Sequence, residues 1–249
     1  MARLRWGIKT APQHTTYEAM LDVWQEADRT PVFEHAWLFD HFNPIQGSLD
    51  GPCFEGWTLL SALAAQTERV RLGLMVAGNT YRHPAVHAHM AATVDVISGG
   101  RLDFGVGAGW NEYEHESMGI PLYAPGERIR RLGEACEITK RLWTQHLTDF
   151  DGRYYQLQEA RLEPKPIQKP YPPIVIGGSG EQLASALRKQ IETSAVAVVD
   201  RLAALDRAAI RKQFEARFTA RRMALDYLAA YRSLMEQAGP RIKLVSSAE

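Results

Sequence analysis

The strongest chemical signal in the chain is Asp40-His41, followed by Phe42-Asn43-Pro44. An imidazole beside a carboxylate can give or take a proton near neutral pH; a histidine that caps a loop is the other reading of the same residues. A second polar run, Ala77-Gly78-Asn79-Thr80-Tyr81-Arg82-His83-Pro84, offers Asn79, Thr80 and Arg82 as donors to a ring or a phosphate. Within it His83-Pro84 reads as a helix opening, because proline is favoured at the first helical position. Gly105-Val106-Gly107-Ala108-Gly109-Trp110-Asn111-Glu112 has GxGxG spacing. It is not the dinucleotide fingerprint, since Trp110 stands where the third glycine would fall, but it sets flexible backbone at a helix start, where an anion or ring system could sit. Gly177-Gly178-Ser179-Gly180 follows an apolar run and leads into helix-forming residues. There, unpaired N–H groups and the helix dipole would face an anion, a plain glycine connector being the alternative. His83 and His87 share a helix face, but His89 does not and no carboxylate completes a metal-ligand spacing, so the three read as surface or supporting histidines.

These groups need a scaffold, and the first part of the chain alternates two periodicities. Strand-like runs at 4–10, 35–40, 70–76, 102–107 and 174–176 are separated by helical patterns at 16–29, 55–66, 83–97, 111–118 and 127–145. Thr15 or Thr16 is the N-cap candidate of the first helix. Residues 148–155, with Asp151-Gly152 between aromatic flanks, predict a small hairpin. Connections too long for hairpins between the other strands predict a parallel α/β sheet of right-handed βαβ units. About five strands suit either a doubly wound sheet or part of a β/α barrel, and both gather functional groups beyond the C-terminal strand ends.

Composition narrows the field. Of 249 residues, 29 are Lys or Arg and 29 are Asp or Glu, so nothing electrostatic favours nucleic acid. No apolar run approaches the ~20 residues of a membrane span, and the opening MARLRWGIKT lacks the apolar core of a signal peptide. Cys53 and Cys136 make neither a disulfide framework nor a metal cluster, and Cys136 reads as a packed small side chain. A cytoplasmic protein without membrane or nucleic-acid partners is expected. The composition breaks near Glu181: all 6 Trp, all 8 His and 18 of the 19 Gly precede it. The 68 residues that follow carry 12 Lys and Arg against 7 Asp and Glu, are rich in Ala, and read as helical. The expected division is therefore a β/α part over 1–181 and a helical segment over 182–249.

Taken together, WLFDHFNPI, TERVRLGLMVAGNTYRHPAVHAHM, ISGGRLDFGVGAGWNEY, GERIRRLGEACEITKRLW and PPIVIGGSGE resemble the bacterial-luciferase-like monooxygenases, in particular the branch that uses deazaflavin coenzyme F420. The resemblance covers about residues 3–181 and implies a (β/α)8 TIM-type barrel holding F420, or alternatively FMN, at its C-terminal face. It implies His41 as the acid–base group for hydride transfer, with Asp40 near the ring. Met75 and Val76 match a non-prolyl cis peptide against the ring face, and Asn79 and Thr80 the ring edge and ribityl region. Ala108 to Asn111 match the loop facing ring and substrate, and Gly177, Gly178 and Ser179 the phosphate-binding turn. Sugar-phosphate dehydrogenases of the family carry a carboxylate where this chain has Ala108. Relatives continue for three further strand–helix units, whereas the pattern RFTARRMALDYLAAYR is similar to the C-terminal helices of family-four glycosyltransferases. A truncated barrel of about five parallel β/α units, followed by an all-helical segment, is thus implied.

The expected function is F420- or FMN-dependent oxidoreduction of a small organic substrate. The alternatives are a non-catalytic flavin-binding protein and an inactive fused relic. Open sheet edges and an aromatic stripe (Phe214, Phe218, Met223, Tyr227, Tyr231) predict a homodimer.

Overall fold

A computed structural model of the chain describes residues 5–178. Ser179, Gly180, the helical segment expected over 182–249, and the aromatic stripe behind the dimer expectation lie outside the described residues.

The chain runs β1 (Trp6–Lys9), α1 (Tyr17–Arg29), β2 (Phe33–Leu38), α2 (Gly56–Ala65), β3 (Arg71–Leu74), β4 (Ala77–Gly78), α3 (Pro84–Ile97), β5 (Phe104–Gly107), α4 (Glu112–Ser117), α5 (Pro125–Thr144), β6 (Thr148–Asp151), β7 (Gln156–Ala160) and β8 (Ile174–Gly177). Each helix start except that of α5 has a side-chain cap: Thr16, Glu55, His83 and Asn111 each accept from a backbone N–H of the first turn. α5 opens instead on Pro125.

Strand order decides between the two architectures. β1 pairs in parallel with β2 and β2 with β3; β4 pairs in parallel with β5 and β5 with β8. β3 and β4 are successive pieces of one strand position, separated by Met75-Val76. A parallel bridge from Leu72 to Leu102, with Asp103 N–H donating to the Leu72 carbonyl (2.8 Å), ties β3 to the entry of β5. Lateral order thus follows chain order among the described residues, with no reversal of the kind a doubly wound sheet needs. Right-handed crossovers in one direction leave the helices on one face, as in a β/α barrel.

Two of the sequence blocks serve the scaffold. The Arg101 guanidinium donates to the carbonyls of Ala64, Thr67 and Val70 at 2.7–2.8 Å. Arg69 does the same for Ala27, Asp28, Thr30 and Phe33 at 2.8–2.9 Å. Carbonyls at a helix end have no intrahelical donor, and these two arginines supply it where α1 and α2 turn into the next strand.

The hairpin differs from expectation. Its turn starts at Asp151-Gly152, but the return strand is β7, beyond residue 155, and pairs Thr148 with Ala160 and Phe150 with Leu157. The cause is Glu134 on α5, whose carboxylate accepts from the N–H groups of Arg153, Tyr154 and Tyr155 (3.0–3.2 Å) and holds the turn open.

Leu38, Leu60, Leu72, Leu102, Phe104, Trp57 and Trp143 form the centre of the core, with Cys136 among them. His87, expected at the surface or in a supporting place, is buried, so the surface alternative does not hold: its Nε2 accepts from Trp57 Nε1–H at 3.0 Å. Its neighbours explain this, since an imidazole that accepts from an indole presents an apolar outline to Phe104 at a ring distance of 5.0 Å. His83 caps α3, and the described residues hold no cluster able to bind a metal ion. No helix among them is long and apolar enough to cross a membrane.

Burial, with a smaller push from Arg82, drives the His87 imidazole down to about 3. The unfolded chain therefore takes up a proton near pH 6.5 that the folded chain refuses, so this contribution is complete above pH 6.5 and is lost as pH falls toward 3. At pH 5 the loss is on the order of 2 kcal/mol. Thermal melts of His87→Gln, which keeps an acceptor without titrating, should lose that part of the decline between pH 7 and 5.

Candidate active site

A cavity of about 810 Å3 lies at the C-terminal ends of the strands. Its wall is contributed by Lys9 at the end of β1, Phe39, Asp40 and His41 after β2, residues 75–78 around β4, residues 107–110 from the end of β5, and Gly177 and Gly178 at the end of β8. Ile45, Tyr81 and the start of α5 (Pro125, Arg128, Ile129) complete it.

The floor is the Met75-Val76 peptide, which is cis. Val76 explains two of the glycines in the motifs. A Cβ on Gly177 would lie 2.6 Å from both Val76 methyl groups, and one on Gly107 would lie 2.8 Å from the nearer. Both glycines leave room for this side chain. Gly109 has φ +80°, a conformation suited to glycine, and the Arg128 Nη1 donates to its carbonyl at 2.6 Å. Arg128 Nε is buried and has no hydrogen-bond partner among the described residues.

Asp40 is buried beneath the cavity and forms two bonds with the Arg82 guanidinium, at 2.6 and 2.9 Å, and a third with Gly78 N–H at 3.1 Å. Arg82 also meets Glu55, the cap of α2. Burial pushes the Asp40 carboxyl up, and Arg82 and the Gly78 N–H pull against it. Burial disfavours the Arg82 charge, yet Asp40 and Glu55 outweigh it and raise its affinity for the proton.

His41 stands on the other side. Its Nδ1 lies 2.7 Å from Glu114 Oε2, and Phe39 and Trp110 rings meet its imidazole edge-on at centroid distances of 5.2 and 5.5 Å. Its Nε2 has no protein partner among the described residues, and the residue lines the cavity. Glu114, on α4, is fully buried. Its Oε2 also accepts from the Tyr81 hydroxyl, and its Oε1 from the N–H groups of Phe42 (2.6 Å) and Asn43 (3.0 Å). Burial pushes this carboxyl up, but the bonds from His41, Tyr81 and Asn43 outweigh it and hold it down at about 2.

Of the residues singled out from sequence, Asp40, His41, Met75, Val76, Ala108, Gly177 and Gly178 come together around the cavity. Three do not line it. Asn79 is buried on the helix side, where it shares a small gap with Pro84, His87 and Phe104. Thr80 Oγ1 bonds His115 Nε2 at 2.8 Å, and Asn111 caps α4. Arg82, read as a donor to a ligand, is instead committed to Asp40 and Glu55. Glu114 and Tyr81 were not picked out. Glu112, Glu114 and Glu116 alternate along α4, and only the depth of one helix face separates the buried Glu114 from its exposed neighbours.

A family model described as "Luciferase-like monooxygenase" matches residues 4–224. An F420-dependent glucose-6-phosphate dehydrogenase of Microbacterium testaceum (strain StLB037) is 35% identical over 179 residues, covering 71% of this chain and 52% of that protein. An FMNH(2)-dependent dimethylsulfone monooxygenase of Pseudomonas putida is 36% identical over 125 residues, 50% of this chain and 34% of that one. A solved F420-dependent secondary alcohol dehydrogenase in complex with an F420-acetone adduct superposes with a TM-score of 0.67 at 23% identity, over 74% of this chain and 55% of that one, a likeness of fold. The chain spans about half the length of the F420-dependent glucose-6-phosphate dehydrogenases it matches.

Removing Arg82 would leave the buried Asp40 carboxylate without its cation. Arg82→Ala should cost about 3–5 kcal/mol of stability, read as a lower denaturant midpoint, with Arg82→Lys recovering part of the loss. A midpoint unchanged within error would mean that the pair does not hold the rim together.

Proposed function

The chain belongs to the luciferase-like monooxygenase family, and from that premise we propose that it is an oxidoreductase using coenzyme F420, or alternatively FMN, on a small organic substrate. The observation that carries this reading is His41, held by Glu114 at Nδ1 with Nε2 unpartnered on the cavity wall.

The residues present fit a flat heteroaromatic ring. Gly107 and Gly177 make room for the Val76 side chain, so the wall beside Met75-Val76 is backbone and one branched side chain. Arg128 Nε is a buried donor still needing an acceptor, as ring carbonyls and other anionic oxygens provide. Met75 and Val76 would hold the ring's face, Arg128 and the backbone of 107–109 its polar edge, and Gly177 and Gly178 the phosphate side. When bound, a deazaflavin or flavin ring supplies the hydride acceptor or donor.

This chain's own part is the proton. His41 Nε2 takes one from a substrate hydroxyl as the neutral imidazole, or returns one as the imidazolium. Phe39, Ile45, Trp110 and Ile129 give the cavity apolar walls that thin out water around that transfer. Ala108 offers a methyl group to the wall, which favours a substrate other than a sugar phosphate.

Two titrations of the purified chain test the reading. Addition of F420 or FMN should change ligand fluorescence and saturate with one of them; no binding of either would refute it. His41→Ala should lower turnover by about 100-fold or more while cofactor affinity stays within a few-fold. Equal losses in both would assign His41 to binding.

A further inference from the structure

We infer that Glu114 is a positioning residue that fixes the His41 imidazole as its Nδ1–H form and so reserves Nε2 for proton transfer in the cavity. This rests on the reading of His41 as the proton-handling group.

An ionised carboxylate offers about four lone-pair sites and no donor. Glu114 spends them on four donors: His41 Nδ1 and the Tyr81 hydroxyl on Oε2, and the N–H groups of Phe42 and Asn43 on Oε1. It has no site left for substrate and no exposed surface, so it acts only through what it holds. Its acceptor atom requires hydrogen on His41 Nδ1, which excludes the Nε2–H neutral tautomer. The two backbone bonds come from the residues that follow His41, so one side chain fixes both the ring and the loop carrying it.

Other groups around the ring leave this role to Glu114. Asp40, the preceding residue, is committed to Arg82 and Gly78 N–H, and Glu55 to the same arginine. Cys53, whose Sγ lies 3.4 Å from the His41 carbonyl, is pushed up to about 11 by burial and the nearby carboxylates and stays neutral. Lys9 and Arg128 share the cavity wall, and neither is bonded to the imidazole. Phe39 and Trp110 present ring edges and no acceptor. Glu114 is the carboxylate that meets the imidazole directly.

The test is the 15N spectrum of histidine-labelled full chain, with the His41 signals assigned by their loss in His41→Ala. Wild type should show neutral His41 as the Nδ1–H tautomer. Glu114→Gln keeps the size but removes the charge and one acceptor oxygen, so the tautomer should become mixed. Its turnover should fall tenfold or more with cofactor affinity unchanged. Glu114→Asp, which keeps the charge, should restore much of both and serves if the glutamine variant does not fold. An Nε2–H tautomer in wild type, or a spectrum unmoved by Glu114→Gln, overturns the inference, as does a changed tautomer with undiminished turnover. Because the tautomer is read without cofactor, a chain that binds no ring defeats the functional reading while the pairing is still decided.

Discussion

A buried carboxylate must be met by donors or a cation, and the rim of the cavity is built on that constraint. Asp40 and Glu114 are both without meaningful solvent contact. The donors that satisfy them come from chain segments far apart in sequence. Arg82 reaches Asp40 from the turn before α3, while Gly78 N–H reaches it from β4. Tyr81 reaches Glu114 from the same turn, and the backbone after β2 reaches it from the opposite side. Residues 78–82 are thus fastened to two carboxylates, Asp40, which precedes His41 in the chain, and Glu114, which bonds its ring. Leaving either charge unmatched would be costly, so the position of His41 follows from electrostatic closure as much as from strand geometry.

Beneath the rim, packing sets the shape. Val76 fills the space that Gly107 and Gly177 leave, so three neighbouring strand ends come together around one side chain at the cavity. The Gly-rich segments are therefore explained first by Val76, and their openness toward a ligand is a consequence of that packing. Arg128 ties the start of α5 to Gly109 and so sets the Trp110 loop at the mouth.

Much of this was legible in the sequence. The alternation of strand and helical periods, Thr16 as one of two cap candidates, Pro84 at the opening of α3, and the strand-end position of Asp40-His41 all appear where the patterns place them. What was illegible depends on depth. Nothing local distinguishes Glu114 from Glu112 and Glu116, and a histidine on a helix gives no sign that an indole N–H will bury it as Trp57 buries His87. Arg82 read as a free donor because its counterions lie 42 and 27 positions away. The return strand of the hairpin was placed too early because a single carboxylate, Glu134, captures the turn from another element. Long-range polar pairing is the common cause: periodicity reports which face is buried and not which charge will be met there.

If one cavity holds the ring and His41 acts on it, ring and imidazole must meet above Met75-Val76. The most direct measurement is a crystal structure of the chain grown with saturating F420 or FMN. Ring density is expected over Met75-Val76, with His41 Nε2 within hydrogen-bond reach, about 3 Å, of the ring or of a substrate analogue beside it. Ring density elsewhere on the protein, or a cavity that stays filled with solvent while His41 Nδ1 leaves Glu114, would contradict it.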